Sequence, residues 1–111
     1  MSHKALSVLI EIVKRLRDYD QEMQLQTAQV FLEVAKQPGI TMRELEERVG
    51  ISQASCSRNV AALSKIHRLN KPGMDLVVAH PDPVAAYRKV VYLTAKGQRL
   101  AETLADLITK E

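Results

Sequence analysis

The segment Ile40-Thr41-Met42-Arg43-Glu44-Leu45 constrains this chain more than any other, because it spells out the start of a helix. With Thr41 as N-cap, Glu44 falls at N3 and completes a capping box, while Ile40 and Leu45 fall at the two positions of a hydrophobic staple. The helix that begins there is short. Gly50 suits the left-handed residue that closes a helix, and Ser52 can cap a new helix two residues later. Two helices joined by so tight a glycine turn form a helix-turn-helix, predicted here over residues 41–66.

In the second helix of that pair, Cys56, Val60 and Leu63 recur at i, i+4 and i+7 and form one buried stripe. Opposite them stand Ala54, Arg58, Ala61, Ala62 and Lys65, with Ser55 and Ser57 on the flanks. Further on, Leu76-Val77-Val78-Ala79 and Lys89-Val90-Val91-Tyr92-Leu93 are short β-branched runs. The segment between them opens with Pro81, Asp82 and Pro83, which enforce a turn and discourage further pairing. Residues 75–94 therefore read as a β-hairpin with a long tip.

The flanks are helical. Between Ala5 and Leu16 eight of twelve residues are apolar, more than a single stripe requires. A helix with that much apolar surface is buried on two sides, either centrally in one small core or, more economically, against a second subunit. Asp20 is the expected N-cap of a second helix running to about Lys36, with Leu25, Ala28, Phe31, Leu32 and Ala35 inward and Pro38-Gly39 as the stop. Thr94 is expected to cap a last helix, Ala95 to about Thr109, whose apolar side holds Leu100, Thr103, Leu104, Leu107 and Ile108. Segments 1–19 and 95–111 are the expected dimerisation helices. The fold class that follows is mainly α with a small β-hairpin, in one domain over 1–111, since 111 residues supply one core.

Charge is uneven along the chain. Residues 52–99 carry eight Lys and Arg against two acidic residues, Asp75 and Asp82, whereas residues 1–51 carry seven against eight. A contiguous basic block implies either a polyanionic partner or a solvated basic face. The N-terminal apolar run Val8-Leu9-Ile10 is broken at once by Glu11, and runs such as Leu76-Val77-Val78-Ala79 are also far short of the roughly 20 residues that cross a bilayer. With no signal-peptide pattern and one cysteine, Cys56, the expected setting is cytoplasmic, without a membrane partner. His3, His67 and His80 are scattered, the combination of His67, His80 and Cys56 matches no metal-ligand spacing, and no glycine-rich phosphate loop exists. The expectation is no cofactor, no metal and no enzyme.

A helix-turn-helix followed by a hairpin is the order of a winged helix, in which one helix enters the major groove of double-stranded DNA and the hairpin lies along the backbone or in the minor groove. The groove-facing positions are then Ser52, Gln53, Ala54, Ser55, Ser57, Arg58 and Lys65, and the wing supplies Arg88 and Lys89. Small side chains allow close approach to base edges, and the arginine fork matches a guanine edge. Tyr87 either packs under the hairpin or touches a sugar.

The order Thr41-Met42-Arg43-Glu44-Leu45, Val49-Gly50-Ile51-Ser52-Gln53-Ala54-Ser55-Cys56-Ser57-Arg58, then Asp82-Pro83 and Arg88-Lys89-Val90-Val91-Tyr92-Leu93-Thr94-Ala95-Lys96-Gly97 resembles the multiple-antibiotic-resistance-regulator (MarR) family over roughly residues 20 to 105. The resemblance implies a homodimeric regulator, a repressor or an activator, on a pseudo-palindromic operator. It gives Ser52, Gln53, Ser55, Ser57 and Arg58 groove-facing roles and makes Arg88 the wing arginine. The chain is shorter than typical members, chiefly at its C-terminus. Many members place the wing aspartate and arginine close together, whereas five residues separate Asp82 from Arg88, and Cys56 stands where a branched aliphatic is common. Cys56 reads as a small core hydrophobe or as a redox sensor. Two other functions remain open on sequence, a winged helix that binds a protein and a phage or plasmid replication or partition factor. Any small-molecule effector is unspecified.

Overall fold

The computed structural model describes residues 2–65 and 71–109. His67 and the end of the expected 41–66 segment lie outside these residues. In chain order the elements are α1 (His3–Arg17), α2 (Leu25–Lys36), β1 (Ile40–Thr41), α3 (Met42–Val49), α4 (Gln53–Leu63), β2 (Val77–Pro81), β3 (Lys89–Leu93) and α5 (Ala95–Thr109).

Local chemistry fixes the helix starts. Thr41 Oγ1 accepts from the Glu44 N–H at 3.0 Å while Glu44 Oε1 accepts from the Thr41 N–H at 3.0 Å, a complete capping box. Ile40 and Leu45 are fully buried beside it. Gly50 ends α3 at φ 75°, ψ 44°, a conformation that a Cβ would strain. Ser52 Oγ then accepts from the Ser55 N–H at 3.1 Å and starts α4. At α5, Thr94 Oγ1 accepts from the Gly97 N–H at 3.0 Å and donates to the Asp75 carbonyl at 2.6 Å, so the cap also ties the helix to the chain entering β2.

Three expectations need correction. Helix α2 starts at Leu25, not after Asp20. Asp20 instead closes a local turn, its Oδ1 accepting from the Glu22 N–H at 3.0 Å, the alternative that short acidic side chains offer the backbone. The inward face of α2 is also rotated. Thr27, Val30, Phe31 and Val34 are buried, whereas Leu25 is 88% exposed and Leu32 46%. Lastly, the hairpin is part of a three-stranded antiparallel sheet of order β1-β3-β2. The two-residue strand β1 pairs Ile40 with Val91 and Thr41 with Val90. In β2, Pro81 is the last paired residue, opposite Lys89, where an edge strand tolerates proline.

The core joins all parts through Phe31 and Val34 of α2, Leu45 of α3, Cys56 and Leu63 of α4, Leu76, Val91 of β3 and Leu100 of α5. From α1 only Leu16 is buried. Val8 and Ile12 are partly buried, Ile12 against the core, whereas Leu6, Leu9, Ile10 and Val13 are 45–57% exposed in the single chain.

Candidate nucleic-acid interface

Helix α4 is oriented by its buried side. Cys56, Val60 and Leu63 fill the predicted stripe, and beside them Asn59 is only 7% exposed. Its Oδ1 accepts from Thr27 Oγ1 at 2.5 Å, and its Nδ2 donates to Gln26 Oε1 at 2.8 Å and to the Ser55 carbonyl at 2.9 Å. This polar lock fixes the roll of α4 against α2, because an unmade bond at a buried amide would cost about 1–3 kcal/mol. Sequence reasoning missed it. The signal available was a single asparagine on the edge of an otherwise apolar stripe.

With the inner face so held, Ser52, Gln53, Ala54, Ser57, Arg58 and Lys65 are exposed. Ser55 is half-buried and its hydroxyl accepts from Arg58 Nη2 at 3.1 Å, which holds the guanidinium along the helix toward its N-terminus. Burial of the Cys56 thiol, reinforced by the Glu46 carboxylate, pushes its pKa up to about 11. The thiol is therefore protonated at neutral pH, which opposes a redox-sensing role.

The wing is closed at its neck. Asp82 and Arg88, with five residues between them in sequence, form an ion pair of 3.0 Å, and the Asp82 N–H donates to the Arg88 carbonyl at 2.8 Å. Asp82 Oδ1 also accepts from the Val84 N–H at 2.9 Å. That backbone bond, more than Arg88, holds the Asp82 carboxyl below the usual range. The ion pair of the wing thus survives the longer spacing. Tyr87 is 88% exposed, so it does not pack under the hairpin.

Between α3, α4 and the wing lies an open cleft of about 960 Å³. Gln53 and Ser57 line it from α4, and Tyr87, Arg88 and Lys89 from the wing. Arg43, at the start of α3, adds a cation that sequence reasoning had not assigned. Its only signal was position, two residues past an N-cap that faces the wing strand. Ser52, Ala54, Ser55 and Arg58 lie outside the cleft lining and form a helix-face group at and beyond the α4 N-cap. Lys65, expected on the same face, lies past the end of α4, because the helix stops at Leu63 and its C-cap Ser64 is extended.

Among the described residues no group of three His, Cys, Asp or Glu side chains is placed to hold a metal ion, and no helix is long and apolar enough to cross a membrane.

A helix-turn-helix, a hairpin and a closing helix, in this order and with a short strand bridging to the hairpin, define a winged helix-turn-helix protein. A MarR family model matches residues 21–65. The fold is accordingly MarR-like. PcaV, a transcriptional regulator of Streptomyces coelicolor solved with its natural ligand, superposes with a TM-score of 0.61 at 24% identity, over 82% of this chain and 58% of its own. MepR of S. aureus, solved in complex with DNA, gives 0.72 at 16% identity over 94% of this chain and 79% of its own. A MarR transcriptional regulator from Methanosarcina mazei Go1 gives 0.68 at 17% over 97% and 70%. The chain therefore spans little more than half the length of PcaV. No curated protein matches by sequence.

Proposed function

We propose that this chain is a sequence-specific double-stranded DNA-binding transcriptional regulator that acts in the cytoplasm, as a homodimer, by occupying a pseudo-palindromic operator as a repressor. The observation that carries the reading is the joint exposure of the α4 outer face and the basic wing on either side of one cleft. In this reading Ser52, Gln53, Ala54, Ser57, Arg58 and Lys65 face the major groove, while Arg88, Lys89 and Arg43 hold the backbone that runs through the cleft. Ser55 acts indirectly, by orienting Arg58. The MepR complex with DNA supports a nucleic-acid partner for this fold, and PcaV, solved with its natural ligand, supports a regulator that answers to a ligand. The function is binding, with no catalytic step.

The test separates the two arginines. Arg58→Ala should cost about 1–3 kcal/mol against the cognate duplex and relax discrimination at one base pair. Arg88→Ala should weaken cognate and scrambled duplexes by similar factors and reduce the salt slope by about one unit. Titrations of wild type and both variants against both duplexes at several salt concentrations read this out. Indistinguishable curves for all three proteins would defeat the DNA-reading hypothesis.

A further inference from the structure

The wing tip is apolar where a backbone clamp would be charged. Between Asp82 and Arg88 the chain reads Pro83-Val84-Ala85-Ala86-Tyr87, with no charge in five residues. Val84 is 90% exposed and Tyr87 88%, the two most exposed large hydrophobics besides Leu25 among the described residues. Neither is spent on the fold.

The tip is also stiff. Its ends are tied by the Asp82–Arg88 ion pair and by the backbone bond from Asp82 to Arg88, and the Arg88 N–H donates to the Ala85 carbonyl at 2.9 Å. Pro83 fixes one further φ angle. A short apolar projection held this way loses little conformational freedom when it is buried. It stands directly beside Arg88 and Lys89, and Tyr87 shares the cleft lining with Gln53 and Ser57 of α4. Any polyanion drawn in by these cations meets Val84 and Tyr87 next.

We infer that Val84 and Tyr87 form an apolar wedge that enters the minor groove flanking the half-site and partly unstacks one base step there. The inference rests on the DNA-binding reading above. It assigns the tip a specificity role that the wing cations Arg88 and Lys89 lack. Valine and a phenol ring gain from apolar groove walls and from an opened base step, and the exocyclic amine of guanine blocks the floor of a G·C-containing groove. The occupant is duplex DNA rather than a protein surface because Arg88 and Lys89 follow the wedge directly in the chain, and their charge suits the phosphate wall beside a groove.

The test starts with a randomised duplex pool selected by the wild-type protein, and uses the tightest duplex recovered. Single 2-aminopurine substitutions are walked through its flanks. The wild type should raise fluorescence at one step in each flank, as unstacking requires. Val84→Ser and Tyr87→Ser should abolish that rise and each lower affinity about tenfold, the fold-change that burial of a side chain of this size commands. Tyr87→Phe should behave as wild type. Replacing flanking A·T pairs by G·C should weaken wild-type binding, and inosine·cytosine pairs, which lack the minor-groove amine, should restore it. Because both side chains are exposed, the variants keep the fold, and unchanged thermal melting checks this. If wild type and serine variants bind alike with flat fluorescence, the wedge is overturned while the DNA reading stands. If the serine variants instead alter the sedimentation mass, the tip is a protein contact and the wedge is overturned. Failure of the wild type to enrich any duplex overturns both readings together.

Discussion

Glu44 shows how one side chain can carry both a helix and a pH dependence. Its carboxylate accepts from the Thr41 N–H, and this bond together with the Thr41 hydroxyl contact holds its pKa below the ordinary glutamate value. A depressed folded-state pKa stabilises the native state above the unfolded value, and the contribution is lost as pH falls through the folded one. Glu44→Gln keeps an acceptor in the capping box but removes the titration. Its stability should therefore fall less steeply than that of the wild type on acidification, and the two denaturation midpoints should converge at acid pH. Parallel curves from neutral to acid pH would contradict the assignment. Thr41 and Glu44 were legible in the sequence because a cap is a contact between neighbours three residues apart. Asn59 was not. Its partners Thr27 and Gln26 lie more than thirty residues away, and nothing local distinguishes a buried asparagine from a solvated one.

At the scale of elements, three caps were legible and one, at Asp20, misled, while packing was legible in the Cys56, Val60 and Leu63 stripe of α4 and not on α2. The starts of α3, α4 and α5 follow from Thr41, Ser52 and Thr94. The face of α2 followed only at Phe31, since Leu25, Ala28, Phe31, Leu32 and Ala35 make as good an apolar stripe as Thr27, Val30, Phe31 and Val34. The Asn59 contact selects the second stripe by engaging Thr27. Strand β1 escaped because two residues carry no alternation to read. In the candidate site the exposed α4 face was readable, while the cleft was not, because it exists only once the wing folds back beside α3. A different contact sets how closely α5 approaches the strand entry. A Cβ on Gly97 would stand 2.0 Å from the Leu76 carbonyl oxygen, which is backbone and has no room to yield. Gly97→Ala should therefore destabilise the protein by about 3 kcal/mol, the upper part of the range for overpacking. Urea denaturation checks this, and a change below about 0.5 kcal/mol, the scale of ordinary surface substitutions, would show that the approach is looser than described.

For the whole molecule, the shape of 47 × 28 × 26 Å leaves an elongated arm of surface relative to the core. Leu6, Leu9, Ile10 and Val13 of α1 are exposed on a face other than the one whose Lys4, Ser7, Val8 and Glu11 meet α5, and Ile108 of α5 is 60% exposed. An isologous pairing of these faces in a second copy is the expected quaternary contact. Leu9→Glu with Ile10→Glu should convert a dimer at micromolar concentration to a monomer in sedimentation and leave it with affinity for one half-site only. A monomeric wild type would refute this. The tie between β1 and β3 bears on how such an assembly is controlled. Thr41 is at once a paired residue of the sheet and the first cap of α3, so the wing strand and the helix-turn-helix share an atom-level weld. Each head is then a stiff jaw. In the proposed dimer a signal would therefore change the gap of the calliper, by pivoting one jaw against the other along α1 and α5, and leave the shape of either jaw as it was.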